Sequence, residues 1–105
     1  EYMLDAKTKL ALYRAVQESL TNVLRYAKAT QVGIELYEAE SLIHLHIRDN
    51  GVGFDPDAVN KTMHHGLTGM IERFNALGGS CIIDSTLGKG THIAISVPAL
   101  VKAAD

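Results

Sequence analysis

The stretch Asp49-Asn50-Gly51-Val52-Gly53-Phe54 ends a strand pattern and starts a glycine-rich turn near the middle of the chain. Two glycines one residue apart let the backbone turn sharply and approach a ligand closely. Asp49 closes the strand and can accept hydrogen bonds, for example from the amino group of a purine. A plain Asn-Gly hairpin turn has the same signature, so the stretch alone is consistent with a binding loop or with a simple turn.

Upstream of this turn, the sequence predicts one long helix followed by a β-hairpin. Apolar residues recur at spacings of three and four over residues 7–27, which is typical of an amphipathic helix. Residues 31–38 and 42–48 each alternate between apolar and polar side chains, as half-buried strands do. The predicted helix stripe consists of Leu12, Val16, Leu20, Val23 and Ala27.

Downstream of the turn, Asp55-Pro56-Asp57 predicts the start of a short helix, with Asp55 as N-cap. Residues 60–66 are polar and predict a mobile loop. A second helix is predicted over residues 67–77, ended by Gly78-Gly79, and strands over 81–85 and 91–97. This order predicts a two-layer α/β sandwich with a mixed, mostly antiparallel sheet covered on one face by helices.

Composition limits the class of protein. The chain has 105 residues, which suits one domain, and 10 basic against 12 acidic residues give a net charge of −2. That balance argues against a domain built to bind nucleic acid. No apolar run approaches the ~20 residues of a membrane span, and no signal-peptide pattern opens the chain. A single cysteine, Cys81, excludes an intramolecular disulfide framework.

Three polar residues of the first predicted helix fall within one sector about 60° wide, roughly opposite the apolar stripe. Glu18, Asn22 and Arg25 stand at i, i+4 and i+7. An amide oxygen suits Mg²⁺ and a guanidinium suits phosphate, so the set fits a metal-bound polyphosphate. Taken alone, the set is better explained as a solvated helix face.

Two further glycine pairs follow the turn. Gly66 and Gly69 are predicted to lie at a helix start, where free N–H groups favour an anion, although a flexible loop before a helix has the same pattern. Gly88-Lys89-Gly90-Thr91 taken alone is a hairpin turn. The chain has neither a Walker A loop nor a G-x-G-x-x-G fingerprint.

Taken in order, these blocks resemble the catalytic ATP-binding domain of two-component sensor histidine kinases, whose Bergerat (GHKL) fold is shared with gyrase B, Hsp90 and MutL. Residues 13–27 resemble the N box, and residues 49–53 the G1 box DxGxG. Residues 66–70, continuing to Gly79, resemble the G2 box, and residues 88–91 the final GxGT block. The match covers residues 10–98, and its details resemble the nitrate-sensor and sugar-phosphate-sensor subfamily.

The resemblance implies a role for each block. On the phosphate side, Asn22 would ligate Mg²⁺, Glu18 would orient the metal's waters or act as a base, and Arg25 would touch phosphate. Tyr26 would lie near the ribose, at a position where the subfamily more often has His. The lid would span residues 55–66.

On the adenine side, the resemblance assigns the amino group of the base to Asp49, with Gly51 and Gly53 closing on the base. Thr91 would reach the adenine through water. Four residues of the G2 block are also assigned to the ATP site: Gly66, Leu67, Gly69 and Met70.

The implied function is to bind Mg·ATP and to present the γ-phosphate to a histidine on a separate dimerisation domain of the same kinase. The resemblance also implies that the domain is cytoplasmic and that the full-length kinase signals to a response regulator. The chain alone is not expected to autophosphorylate, and no nucleic acid or direct membrane contact is expected. Alternatives are an anti-sigma-factor-type serine kinase or small ATPase of the same fold, and a degenerate docking module without nucleotide.

The histidines and the cysteine receive ordinary structural interpretations. His44 and His46 share a strand face but lack an evident third metal ligand. His64 and His65 are not expected to be phosphoacceptors, because the family's acceptor lies on a separate helix and is followed by an acidic residue. Cys81 is predicted to be a small core residue.

Overall fold

A computed structural model describes residues 4–55 and 57–99 of the chain. Two helices and four strands follow one another in the predicted order, and the first helix continues without a break into a five-residue π-helical turn (the π turn). The elements are α1 (Ala6–Asn22), the π turn (Val23–Ala27), β1 (Val32–Ala39), β2 (Leu42–Asp49), α2 (Lys61–Ala76), β3 (Ser80–Ser85) and β4 (Thr91–Pro98).

The four strands form one sheet in the order β1-β2-β4-β3, and all three described pairings are antiparallel. Both helices contribute side chains to the core that covers one face of this sheet. The predicted two-layer α/β sandwich is therefore confirmed. Within the described residues, the sheet contains no parallel pair.

Each helix begins at a side-chain cap. The Asp5 carboxylate accepts a hydrogen bond from the backbone N–H of Thr8 at 2.8 Å, which caps α1. The Asn60 side chain accepts from the N–H of Met63 at 2.9 Å, which caps α2. Such caps satisfy an N–H group that the first helical turn leaves without a partner.

The cap at Asn60 corrects the predicted loop over residues 60–66. The structure has helix from Lys61, six residues before the predicted start. Gly66 and Gly69 therefore lie inside α2 rather than at its N-terminus. Since backbone N–H groups inside a helix bond to the preceding turn, the predicted anion site on the N–H groups of these two glycines was wrong.

The prediction of a short helix that begins at Asp55 was also wrong, because residues 55 and 57–60 are not helical. Asp55 and Ala58 instead close a turn, with the Ala58 N–H donating to the Asp55 carbonyl at 2.9 Å. The Asp55 side chain accepts from the N–H of Asp57 at 3.0 Å. Pro56, the predicted first helical residue, lies outside the described residues.

The buried stripe of α1 is rotated from the predicted one. Four small side chains face the core together with Leu12, namely Thr8, Ala11, Ala15 and Ser19. Of the predicted stripe, Leu12 and Ala27 are buried, whereas Leu20 remains 37% exposed. Glu18 and Asn22 therefore flank the buried side of the helix rather than lying opposite it.

The core lies between the helices and the three strands β2, β4 and β3. Its most deeply buried large side chains are Phe74, Ile43, Leu45, Met70, Ile95 and Val97. Cys81 belongs to this core, as predicted, and burial raises the pKa of its thiol to about 11. The first strand is different: Val32, Ile34 and Leu36 are all exposed, because no described element covers β1.

Candidate nucleotide-binding site

The turn after β2 packs against the end of the first helix. The Val52 N–H donates to the Ala27 carbonyl at 2.7 Å. A Cβ atom at Gly51 would overlap the Ala27 carbonyl oxygen, so this close approach requires glycine. Gly51 thus positions the turn against the π turn without itself lining the cavity described below.

Asp49 ends β2 with its carboxylate held in place. Its Oδ1 accepts a hydrogen bond from the Gly51 N–H at 2.8 Å. Within the described residues, its second oxygen has no hydrogen-bond partner, and Asp49 lines a cavity. That oxygen is available to accept from a donor on a bound molecule.

Ser85 connects the turn to the β3–β4 hairpin, and it is a residue that the sequence analysis missed. Its hydroxyl lies 2.8 Å from the Thr91 hydroxyl and 3.2 Å from the Gly90 carbonyl. It also accepts a hydrogen bond from the Phe54 N–H at 2.9 Å. A serine at the end of a strand is common, so its spacing carried no signal of this role.

These segments enclose one cavity with polar groups around apolar walls. The space, which includes its opening to solvent, is about 440 Å³. Its walls come from the end of α1, the π turn, β2, β4 and the first turns of α2. The lining residues are Ser19, Asn22, Val23, Tyr26, Ala27, Ile47, Asp49, Gly53, Phe54, Met63, Leu67, Thr91 and Ile93. A mostly apolar cavity with a few convergent polar groups is the usual form of a small-molecule site.

Of the twelve predicted site residues, the structure brings six to this cavity. They are Asn22, Tyr26, Asp49, Gly53, Leu67 and Thr91. They come from four separate parts of the chain and meet only in the folded domain. The π turn contributes to this convergence, since a π-helical turn changes the direction in which Tyr26 and Ala27 project.

Four other predicted residues line a neighbouring cleft between α1 and α2. They are Glu18, Gly66, Gly69 and Met70. The half-buried Glu18 carboxylate sits against Gly66, where a Cβ atom would collide with it. The cleft thus adjoins the cavity one helical turn from Asn22.

Two predicted residues line neither space: Gly51, which packs against Ala27, and Arg25. Arg25 is exposed on the π turn. Its prediction assumed a regular α-helix through residue 27, with Glu18, Asn22 and Arg25 in one sector. The π turn ends that regular spacing after Asn22.

The donors beside the cavity fit a hard divalent cation. The Asn22 amide lines the cavity, forms no cap hydrogen bond, and lies one helical turn from the Glu18 carboxylate. Mg²⁺ accepts one or two protein oxygens and keeps several waters. Asn22, with Glu18 acting through water, is therefore a donor set suited to Mg²⁺ on a bound polyphosphate.

The opposite face of the sheet carries a separate cluster of aromatic and histidine side chains. His46 Nδ1 lies 2.9 Å from His92 Nε2, and the Tyr37 hydroxyl lies 3.3 Å from His46 Nε2. Burial lowers the pKa of His92, and the charges of Arg48 and His46 lower it further. No group of three metal-ligating side chains occurs among the residues that the structure describes.

Comparisons with known proteins give matches over most of the chain. A family model described as "Histidine kinase-, DNA gyrase B-, and HSP90-like ATPase" matches residues 7–101. The chain is 44% identical over 87 residues to the sensor histidine kinase LiaS of Bacillus subtilis, covering 83% of this chain and 24% of LiaS. It is 41% identical over 100 residues to a sensor-like histidine kinase of Chloroflexus aurantiacus, covering 90% of this chain and 17% of that protein.

Solved structures share the fold at lower identity. The ATP-binding domain of PrrB from Mycobacterium tuberculosis superposes with a TM-score of 0.66 at 20% identity, covering 85% of this chain and 67% of that one. The histidine kinase domain of a blue-light activated kinase from Erythrobacter litoralis gives 0.67 at 20% identity, covering 88% and 45%. Neither described helix is long and apolar enough to cross a bilayer.

The chain spans less than a quarter of the length of each of the two curated relatives named above. The family match itself covers nearly the whole chain. It also agrees with the antiparallel sheet and the helical layer described above. The chain belongs to the histidine kinase-, DNA gyrase B- and HSP90-like ATPase family.

Proposed function

We propose that the chain is the catalytic ATP-binding domain of a sensor histidine kinase, and that it binds Mg·ATP in the cavity. The observation that carries the proposal is the convergence of Asp49, Thr91 and Asn22 on one cavity. Asp49 offers an acceptor for the adenine amino group, with Thr91 beside it. Asn22 stands at the end of α1, where the phosphates would begin.

The chemistry asked of this site is mainly positioning and charge neutralisation, as in phosphoryl transfer generally. The magnesium ion would neutralise charge on the phosphates, held through Asn22 and through waters oriented by Glu18. The chain would present the γ-phosphate to a histidine of a dimerisation and phosphoacceptor domain. The imidazole nitrogen would form the new N–P bond as the bond to the bridging oxygen breaks, and ADP would leave with that electron pair.

The cellular setting follows from the same proposal. The kinase of which this domain is a part would pass the phosphoryl group to a response regulator in two-component signalling, and the domain would act in the cytoplasm. We assign it to the subfamily of nitrate and sugar-phosphate sensors on the residues of its N and G2 boxes. No nucleic-acid or membrane contact is assigned to the domain itself.

The direct test is calorimetric titration of the chain with ATP, ADP and GTP, each with and without Mg²⁺. We expect binding of both adenine nucleotides, tighter ATP binding with Mg²⁺, and much weaker GTP binding. Folded protein that releases no heat with any nucleotide would support the docking-module alternative. A phosphorylated partner whose label survives acid, as phosphoserine does and phosphohistidine does not, would support the serine kinase alternative.

A further inference from the structure

Three polar side chains form one row across neighbouring strands of the sheet. Asp49 stands opposite Thr91 in the pairing of β2 with β4, and Ser85 stands opposite Thr91 in the pairing of β3 with β4. Asp49 and Thr91 line the cavity, whereas the buried Ser85 lies beyond Thr91, on the side away from Asp49. Since Ser85 does not line the cavity, it can act on a bound molecule only through its neighbours.

The hydroxyl of Ser85 has one proton and two lone pairs. Among the residues that the structure describes, it has three hydrogen-bond partners. The Phe54 N–H can only donate, so it occupies one lone pair at 2.9 Å. The Gly90 carbonyl can only accept, so it takes the Ser85 proton at 3.2 Å. One lone pair of Ser85 is left, and the Thr91 hydroxyl must donate to it at 2.8 Å.

The direction of the Thr91 hydroxyl follows from these three partners. Because its single proton points at Ser85, the Thr91 oxygen presents lone pairs and no proton to the cavity. The second carboxylate oxygen of Asp49 also accepts and does not donate. This wall of the cavity therefore offers two acceptors, one from each of two adjacent strands. A bound group that places another acceptor there leaves all of them without a partner, which is costly in a buried site.

The spacing of the two acceptors suits one amino group. Side chains directly opposite each other on antiparallel strands have Cβ atoms about 4.5–5.5 Å apart. Two acceptors that each lie ~2.9 Å from one amino nitrogen, along N–H bonds ~120° apart, are about 5 Å from each other. The exocyclic amino group of a 6-amino purine has two such N–H bonds, whereas a 6-oxo purine has a carbonyl oxygen at that position.

We propose that Ser85 is a positioning residue that directs the Thr91 proton away from the cavity, so that Asp49 and Thr91 together select a 6-amino purine over a 6-oxo purine. The choice of a purine rests on the proposed function. Asp49 and Thr91 each accept one N–H of the amino group. Without the Ser85 hydroxyl, the Thr91 hydroxyl turns and can donate to a 6-oxo group, which weakens the selection.

The first test compares ADP with inosine diphosphate (IDP), in which a carbonyl oxygen replaces the amino group. In calorimetric titration, Ser85→Ala should lower the ratio of ADP affinity to IDP affinity about tenfold or more, partly by improving IDP binding. A general loss of packing would weaken both nucleotides alike and leave the ratio unchanged. Ser85→Thr keeps a hydroxyl and should restore the wild-type ratio. An unchanged ratio in Ser85→Ala would overturn the proposal.

A double variant tests whether Ser85 acts through Thr91. Ser85→Ala/Thr91→Val has no hydroxyl left to donate, so it should lose the improved IDP binding of Ser85→Ala. The matched control is Ser96→Ala, which removes a hydroxyl from the outer face of β4, where it lies 3.1 Å from His44 Nδ1. This control should keep the wild-type ratio. Improved IDP binding that persists in the double variant, or that also occurs in Ser96→Ala, would overturn the proposal.

The second test needs no nucleotide. In proton NMR spectra of the free chain at low temperature, the Thr91 hydroxyl proton should exchange slowly and show a nuclear Overhauser effect to the Ser85 β protons. Ser85→Ala should abolish the slow exchange. A Thr91 hydroxyl proton that exchanges rapidly in the wild-type chain would overturn the assigned direction. A wild-type chain that binds neither ADP nor IDP would overturn the proposed function and the purine selection, while NMR still decides the direction of the hydroxyl.

Discussion

The two carboxylate oxygens of Asp49 have different surroundings, and the variant Asp49→Asn keeps one of them and replaces the other. Asn keeps an oxygen that accepts from the Gly51 N–H, but it places an NH₂ donor where the second oxygen stood. The new NH₂ group and the adenine amino group, which are both hydrogen-bond donors, would then face each other. We expect ADP affinity to fall about 10- to 100-fold, the range of an unsatisfied polar group. Calorimetric titration measures this loss.

The control for this variant is Asp84→Asn, which makes the same chemical change at an exposed position on β3 outside the cavity. It should bind ADP with wild-type affinity. If Asp49→Asn also keeps wild-type affinity, Asp49 does not accept from the adenine amino group. A melting curve for each variant separates loss of binding from loss of folding.

His92 should make the stability of the domain depend on pH. Its pKa in the folded chain lies below the usual value because of burial first, then of Arg48 and His46, while Asp84 opposes the shift. The unfolded chain therefore binds more protons than the folded chain between the lowered pKa and about 6.5, so the free energy of unfolding rises with pH there. The contribution of His92 to the free energy of unfolding is complete above about pH 6.5 and is lost as the pH falls through the lowered pKa.

Urea denaturation at several pH values between 5 and 8 tests this dependence on His92. The variant His92→Gln keeps a side chain that can bond to His46 but does not titrate, so its stability should depend less on pH across that window. His64→Gln, at an exposed position of α2, is the control and should keep the wild-type dependence. An unchanged slope in His92→Gln would assign the acid sensitivity to other groups.

At the level of single residues, the sequence predicted well where residue type alone has a structural consequence. Asp49 and Gly53 line the cavity because a strand end and a turn have regular geometry, whereas helix spacing placed Asn22 opposite the apolar stripe and only the resemblance assigned it to the site. Ser85 was missed because its role depends on three groups that come from separate segments and meet only after folding. Their contacts leave no periodic pattern in the sequence.

Helix α2 contains two glycines that differ in their surroundings. A Cβ atom at Gly69 would meet no atom within 4 Å, so Gly69→Ala should stabilise the domain by about 0.4–1 kcal/mol. At Gly66, the same change should lose that gain, because the new methyl group displaces the Glu18 carboxylate. Urea denaturation of both variants measures the difference.

Nucleotide titration adds a second readout to this pair of variants. Gly66→Ala should also alter Mg²⁺-dependent ATP binding through Glu18, whereas the methyl group of Gly69→Ala would meet no atom within 4 Å and should alter it less. If the two variants have equal stability and equal ATP affinity, the contact between Gly66 and Glu18 has no energetic importance. The shared helix makes each variant the control for the other.

Element boundaries were less predictable than element types. All four strands and both helices were predicted, but α2 begins at Lys61 instead of residue 67. The reason is the Asn60 cap, which starts a polar helical turn that apolar periodicity does not register. The burial of α1 was also misjudged, since Ala15 and Ser19 pack closely against the core while the larger Leu20 does not.

At the scale of the molecule, six of the twelve predicted site residues line one cavity and four line the adjoining cleft. This convergence follows from topology. The sheet order β1-β2-β4-β3 places the end of β2 beside the start of β4, so Asp49 pairs with Thr91. The spacing of residues within each sequence block did not predict that Asp49 and Thr91 lie together. Only the resemblance to a known fold assigned both residues to one site.

The isolated chain should not phosphorylate itself. One described histidine, His65, lines the cleft with Glu18. It is fixed to α2 beside Gly66, and transfer requires a nitrogen in line with the leaving oxygen, which a helix-bound side chain cannot freely adopt. Incubation with labelled ATP and Mg²⁺ should therefore leave no stable label on the chain.

Addition of the phosphoacceptor domain should produce label on that domain alone, because a mobile partner can supply the in-line geometry that α2 prevents. The variant His65→Gln tests whether any label found on the chain itself is carried by His65. Label on the wild-type chain that disappears in His65→Gln would show that α2 moves far enough to place its own histidine at the phosphate. That result would contradict the need for a separate acceptor.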